Sequence, residues 1–250
     1  MEIILLGTGT AVPISGHTPS AILLKSKDLT ALLDMGPGAT YKVAGQGVDP
    51  FHLQYLFLTH LHSDHTLDLV TFLQMNASTP DIERTSSVFL TGCRGLKNLY
   101  NGLMRLYPGI APGSYKLYLR EIVEDRFEVN GVVVSSTLSG HTTDSICYRF
   151  DTSEGSVVYT GDCATVAPLD QFCAGVDLLI CECSFPAGWP TSDHMSADSV
   201  GKLAAQAGVK TLIVTHLYPP AVKVDLQSQI QEYYTGPVII AQDNYKFLLP

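Results

Sequence analysis

Short apolar runs that stop at a histidine or an aspartate recur along this chain, and they limit its fold more than any other feature. Leu29 to Leu33 ends on Asp34, Leu53 to Leu58 stops just before His60, Val157 to Thr160 just before Asp162, and Leu212 to Thr215 ends on His216. Apolar, β-branched runs of this length read as strands buried on both faces. A core has no use for imidazoles and carboxylates, because burying one without a partner is costly. Their repetition at strand ends therefore predicts strands that deliver polar groups to one edge, where those groups share a site. Ile3 to Leu6, Ala21 to Leu24, Ser87 to Leu90, Val132 to Val134, Leu178 to Ile180 and Val238 to Ile240 read as further strands. Helical spacing lies between some of them, in Asp64 to Asn76, Gly95 to Tyr107, Ser196 to Gln206 and Val224 to Tyr233. The expected class is α/β or mixed α+β, with helices covering sheets.

Hydrophobic residues make up 46% of the 250 and charged residues 16%, a balance that excludes a disordered tail, a coiled coil or a collagen-like repeat. No linker, repeat or low-complexity segment divides residues 1–250, which read as a single domain. Pro108 to Gly113 marks a long surface turn that could form a mobile rim. Residues 3–24 carry no formal charge, yet Gly7, Gly9, Pro13, Gly16 and Pro19 interrupt them, so no membrane span is expected. Without a basic leader the cytoplasm is the expected location. Six cysteines are too sparse for a disulfide scaffold and should be small buried hydrophobes. Fifteen Lys and Arg against 24 Asp and Glu give a net charge of −9, which lacks the basic field of a general nucleic-acid binder.

The densest chemistry lies in Thr59-His60-Leu61-His62-Ser63-Asp64-His65. In an extended segment, spacing of two puts His60 and His62 on one side, while Asp64 and His65 open the next helix and point elsewhere. One loop can thus supply two adjacent metals. At this motif the chain resembles the metallo-β-lactamase superfamily, whose signature is His-x-His-x-Asp-His after an apolar strand. The likeness continues through Gly7-Thr8-Gly9-Thr10, Asp34, His141 in Ser139-Gly140-His141-Thr142, Asp162 in Tyr159-Thr160-Gly161-Asp162, and His216 in Thr215-His216. The resemblance implies a four-layer αββα sandwich with a two-metal site at one edge of its sheets. It also implies that His60, His62 and His141 hold one metal, that Asp64, His65 and His216 hold the other, and that Asp162 bridges them. Five imidazoles and two carboxylates suit two divalent ions, zinc first, with manganese or iron also accommodated. Two adjacent cations lower the pKa of a bridging water and clamp attacking and leaving oxygens, as phosphodiester hydrolysis requires. Asp64 can ligate and also orient that water, and Asp34 reads as a carboxylate that fixes the tautomer of a ligand histidine.

Within the superfamily the chain is most similar to the ribonuclease Z-like branch. The opening Leu6-Gly7-Thr8-Gly9-Thr10-Ala11-Val12-Pro13, the segment Glu182-Cys183-Ser184-Phe185 and His194-Met195-Ser196-Ala197 carry that likeness. It implies a Glu182–His194 pair beside the metals, with His194 protonating the leaving oxygen. Two family features are missing: only 20 residues separate His141 from Asp162, too few for a tRNA-gripping arm, and the basic Pro-x-Lys-Ala-Arg-Asn type loop is absent. Full-length tRNA is therefore not an expected substrate. The expected partner is a small or medium phosphodiester or related ester, with a homodimer left open. A sulfate ester, lactone or thioester substrate is the alternative for the same core, and a di-iron oxidoreductase the more distant one. Cys181-Glu182-Cys183 reads as buried strand-end residues rather than a zinc site, His52 as a surface residue, and His17 as a surface residue or a substrate contact. Trp189, between Pro186, Gly188 and Pro190, belongs either to a pocket wall or to a packed corner.

Overall fold

The computed structural model describes residues 1–164 and 169–249. Its strands are β1 (Glu2–Gly7), β2 (Ala21–Lys25), β3 (Thr30–Leu33), β4 (Tyr55–Leu58), β5 (Val88–Gly92), β6 (Leu117–Glu121), β7 (Asp125–Val129), β8 (Val132–Leu138), β9 (Ile146–Thr152), β10 (Gly155–Tyr159), β11 (Leu178–Glu182), β12 (Leu212–Thr215), β13 (Val238–Ile240) and β14 (Tyr245–Leu248). The helices are α1 (Ala39–Gly45), α2 (Ser63–Thr66), α3 (Leu69–Ser78), α4 (Leu96–Leu106), α5 (Leu169–Phe172), α6 (Ala197–Ala207) and α7 (Leu226–Gln231).

Two seven-stranded sheets result, in the orders β14-β1-β2-β3-β4-β5-β6 and β13-β12-β11-β10-β9-β8-β7. Each is antiparallel in one half and parallel in the other, with β3 to β6 and β10 to β13 running parallel. Parallel neighbours need a crossover, and α1, α3, α4, α5, α6 and α7 fall within those crossovers. Alternation in β1 shows why the result has four layers: Ile3 and Leu5 join the apolar cluster between the sheets, while Ile4 and Leu6 join the cluster beneath α1, α3 and α4. In the second sheet Leu178 and Ile180 point between the sheets, and Leu179 and Cys181 pack under α6 and α7. The helices thus cover the outer faces of a two-sheet sandwich, the expected αββα arrangement.

Each of the ten apolar runs overlaps a strand, with Leu29, Leu53, Gln54 and Ser87 falling before the strands they lead into, and β6, β7, β9 and β14 are additional. Asp64 to Asn76 is divided into α2 and α3, because the Asp68 carboxylate accepts from the Gly38 and Thr40 amides and ties the junction to α1. The Pro108 to Gly113 turn is anchored by Ile110, which is fully buried under the first sheet. All six cysteines are buried and free. No helix among the described residues is long and apolar enough to cross a membrane. Between His141 and Asp162 the chain makes only β9 and β10, joined by a tight turn at Ser153 and Glu154.

Candidate metal centre

The site forms beyond the carboxyl ends of the parallel strands, where side chains escape the apolar ladder. Asp34 follows β3, His60 and His62 lie between β4 and α2, and Asp64 and His65 open α2. His141 sits between β8 and β9, Asp162 follows β10, Glu182 ends β11, and His216 follows β12. Three of these exits turn sharply: Asp34, Gly161 and His216 each take the left-handed conformation, at φ 56°. Gly161 has no substitute there, because an added Cβ would lie 2.6 Å from the Thr59 side chain.

The Asp162 carboxylate sits at the centre, with its two oxygens facing different partners. Oδ2 lies 3.6 Å from the Nε2 of both His60 and His141. Oδ1 lies 3.2 Å from the Nε2 of both His65 and His216. His62 Nδ1 approaches His141 Nε2 at 3.2 Å, which completes the first group. Asp64 Oδ2 lies 3.9 Å from His65 Nε2 and 3.7 Å from His216 Nε2, which completes the second. Among the described residues, groups of metal-binding spacing include His60-His62-His141-Asp162 and Asp64-His65-His216, and His194 falls in two more, with His141 and Asp193 and with Asp162 and His216. The Nε2 atoms of His60, His65 and His216 and the Oδ1 of Asp162 are buried yet make no hydrogen bond of normal geometry. Four orphaned lone-pair atoms turned toward one another suit cations, which would satisfy them all.

The opposite face of each ring is held. His65 Nδ1 lies 2.7 Å from Asp34 Oδ2, His141 Nδ1 lies 2.7 Å from the Asp193 carbonyl, and His216 Nδ1 lies 3.2 Å from Ser184 Oγ. When a cation takes Nε2, a proton on Nδ1 donated to these acceptors leaves the Nε2 lone pair facing the cluster; without one, burial is outweighed by Asp162 and Asp34, which hold His65 charged, well above its ordinary 6.5. Asp34 is fully buried and accepts from the Thr59 amide, the Thr59 hydroxyl, the Tyr159 hydroxyl and His65. The Ala11 amide donates to Asp64 Oδ2 and fixes that carboxylate from the β1–β2 loop.

Electrostatics follow from this crowding. Burial, reinforced by the His65 charge, pushes His60 well below its ordinary 6.5, so its ring is neutral. Burial also opposes ionisation of Asp162, but His216 and His65 outweigh it and hold the carboxyl well below the usual range. Asp64 is lowered in the same way, by His216 and His65 against burial.

Beside the clusters, Glu182 is fully buried and its two oxygens lie 3.0 and 3.1 Å from His194 Nδ1. The Cys163 and Met195 amides also donate to it. Burial disfavours the charged imidazole, yet the hydrogen bond and charge of Glu182 prevail and raise His194 to about 9. The His194 ring stands 4.6 Å from that of His141 and 5.5 Å from that of His216. One cavity, of about 590 Å³, opens on this side and is lined by Phe185, Trp189, Asp193, His194 and Tyr218 among others, so Trp189 belongs to a wall. His17 is bonded to Thr8 and belongs to neither cluster, and His52 is exposed beside Asp49.

All seven expected ligand positions converge, as do Asp34, Glu182 and His194. Thr59, Tyr159, Ser184 and the Asp193 carbonyl were not distinguished by sequence. The one available signal for Thr59 is the Thr-His pair repeated as Thr215-His216.

Comparison with known proteins matches this geometry: residues 14–216 fit the metallo-beta-lactamase superfamily model, and the chain belongs to that superfamily of metallo-β-lactamase-fold hydrolases. Among individual relatives, the chain is 29% identical to a ribonuclease Z of Mycobacterium avium over 245 residues, 89% of this chain and 88% of the relative. In solved structures it resembles the metallo-β-lactamase-fold protein YhfI of Bacillus subtilis, at TM-score 0.86 and 22% identity over 99% of both chains. It also resembles the human short-form tRNase Z, at TM-score 0.81 and 21% identity over the whole of both.

Proposed function

We propose that residues 1–250 form a single hydrolase domain that cleaves a small or medium phosphodiester in the cytoplasm with two divalent ions, zinc by preference. The division of the Asp162 oxygens between two sets of imidazole nitrogens, three of the four without a hydrogen bond, supports this reading, because a carboxylate shared by two cations would be held in this way. His60, His62 and His141 would hold one ion, Asp64, His65 and His216 the other, and Asp162 both. Bound there, two such ions supply an acidified water and offset the charge of a scissile phosphate.

The chain's own residues set the rest. Asp64, positioned by the Ala11 amide, orients the attacking water, and Asp34 and the Asp193 carbonyl aim His65 and His141. His194, held protonated by Glu182, gives its proton to the departing oxygen. The likeness to ribonuclease Z supports a phosphodiester over a sulfate ester, lactone or thioester. Metal analysis should find two ions per chain, and a panel of a bis-aryl phosphodiester, an aryl sulfate and a lactone should show turnover of the first. His194→Ala should retain both ions and lower kcat by about 10²- to 10⁴-fold. That loss should be larger for an alkoxide leaving group than for nitrophenolate, which departs without a proton. Loss of an ion, or equal slowing of both substrates, would refute the role of His194.

A further inference from the structure

Trp189, Phe185 and Tyr218 form one stack in the cavity beside His194. Trp189 and Phe185 lie 5.2 Å apart at 5°, and Phe185 and Tyr218 lie 5.3 Å apart at 21°. Tyr218 sits at the inner end, 5.7 Å from the rings of both His194 and His216. Trp189 sits at the outer end, where 43% of its surface is exposed. Its segment is fixed rather than slack: the Trp189 amide donates to the Pro186 carbonyl, the Gly188 amide to Asp198, and Gly188 takes φ 73°. An open indole on a rigid turn, continuing a stack that begins at the metal ligands, is a platform for another planar ring.

Charge narrows the ring's identity. Among the described residues no Lys or Arg lines this cavity, and its ionisable side chains are Asp193, His194 and Tyr218. A second phosphate there would meet Asp193, and the cation that does face the cavity, His194, is already paired with Glu182. His194 faces the same cavity, so whatever fills it is the half of the substrate that leaves.

We propose that the Trp189–Phe185–Tyr218 stack binds the departing half of the substrate and that this half is an uncharged group carrying a planar aromatic ring, as a nucleoside does, rather than a nucleotide chain. The inference rests on the phosphodiesterase reading above. In the step it describes, water adds to phosphorus, the bond from phosphorus to the nucleoside oxygen breaks, and His194 delivers the proton to that oxygen.

Trp189 is the only tryptophan in the chain, so its emission reports on the subsite without turnover. Adenosine should quench it saturably, ribose should not, and adenosine 3′,5′-bisphosphate should bind more weakly than adenosine. Turnover is then compared for the methyl ester of adenosine 5′-monophosphate and for the same ester with hydrogen in place of the base. The products expected are adenosine and methyl phosphate, and the base should raise kcat/KM by about 10- to 100-fold, the span of one aromatic stack. Trp189→Ala should remove most of that preference through KM, slow the baseless ester far less and retain the metal, whereas Trp189→Phe should keep much of the preference. Equal effects of Trp189→Ala on both esters, release of methanol with adenosine monophosphate, or tighter binding of the bisphosphate would overturn the proposal. If neither ester is hydrolysed, the phosphodiesterase reading fails, and the absence or presence of quenching by adenosine still decides the subsite.

Discussion

Asp34→Asn tests how far the buried carboxylate governs the metal centre. Replacing Asp34 by Ala would strand the Thr59 amide, the Tyr159 hydroxyl and His65 Nδ1 together, at about 1–3 kcal/mol for each unsatisfied group. Summed, that approaches the whole stability of a domain, about 5–15 kcal/mol, so the Ala variant would report on folding. Asn keeps the shape and tolerates the left-handed backbone at position 34. Its new NH₂ must face either the Thr59 amide, a fixed donor, or the pair His65 and Tyr159. The second arrangement costs less, because a hydroxyl can rotate and an imidazole can move its proton from Nδ1 to Nε2. That escape removes the Nε2 lone pair from the second cluster. The expected result is a thermal midpoint lowered by a few degrees, at about 2–4 °C per kcal/mol for a chain of this size. One zinc site should weaken by about 10- to 100-fold, the usual cost of losing a carboxylate behind a ligand histidine. Competition with a chromogenic chelator would resolve the two sites, and the other should be nearly unchanged. Unaltered zinc affinity at both sites, with the midpoint lowered as expected, would show that Asp34 serves the fold and not the metal.

Asp162→Ala should lose at least one ion per chain, since its oxygens face both clusters, and full occupancy measured by metal analysis would remove it from the bridging position. His62→Ala should empty mainly the His60-His62-His141 group and His216→Ala mainly the other, and identical binding curves would mean that this division is wrong. In chelator-treated protein, His194 is raised from 6.5 to about 9, so the Glu182 pair stabilises the fold fully below pH 6.5 and loses that contribution as pH rises through 9. The stability gap between wild type and His194→Gln should therefore shrink over that window, and a constant gap in thermal melts would contradict the pairing. Cleavage of full-length precursor tRNA should be weak beside that of a small activated phosphodiester, because β9 and β10 leave no room for an arm between them.

Sequence revealed most where both faces of a strand are buried. β1, β10, β11 and β12 read as unbroken apolar runs because each is covered by the facing sheet and by helices. β6 and β7 alternate half-buried and exposed residues, with Arg120, Glu121, Asp125 and Glu128 among them, because they are the outer strands of their sheets and carry too few apolar residues to register. β14 is likewise an edge and mostly exposed. α1 is short and set between glycines, with no apolar period to mark it. In the site, imidazoles and carboxylates announce themselves because a core would reject them. The groups that hold them do not: a threonine hydroxyl, a serine hydroxyl and a main-chain carbonyl occur in any protein, and only the fold brings Asp193 to His141. The aromatic wall was hidden for a similar reason, since Phe185 and Tyr218 lie on separate loops and meet only after β11 and β12 pair.

The bond from His141 Nδ1 to the Asp193 carbonyl joins a residue of the first cluster to the loop that walls the cavity. Loop position and hold on the ion are then two readings of one equilibrium. By reciprocity, a substrate that presses on this rigid turn and shifts the Asp193 carbonyl would change the affinity for a divalent ion by the same factor that the ion changes the affinity for substrate. The grip on substrate and the hold on such an ion would then be set together, through one main-chain carbonyl.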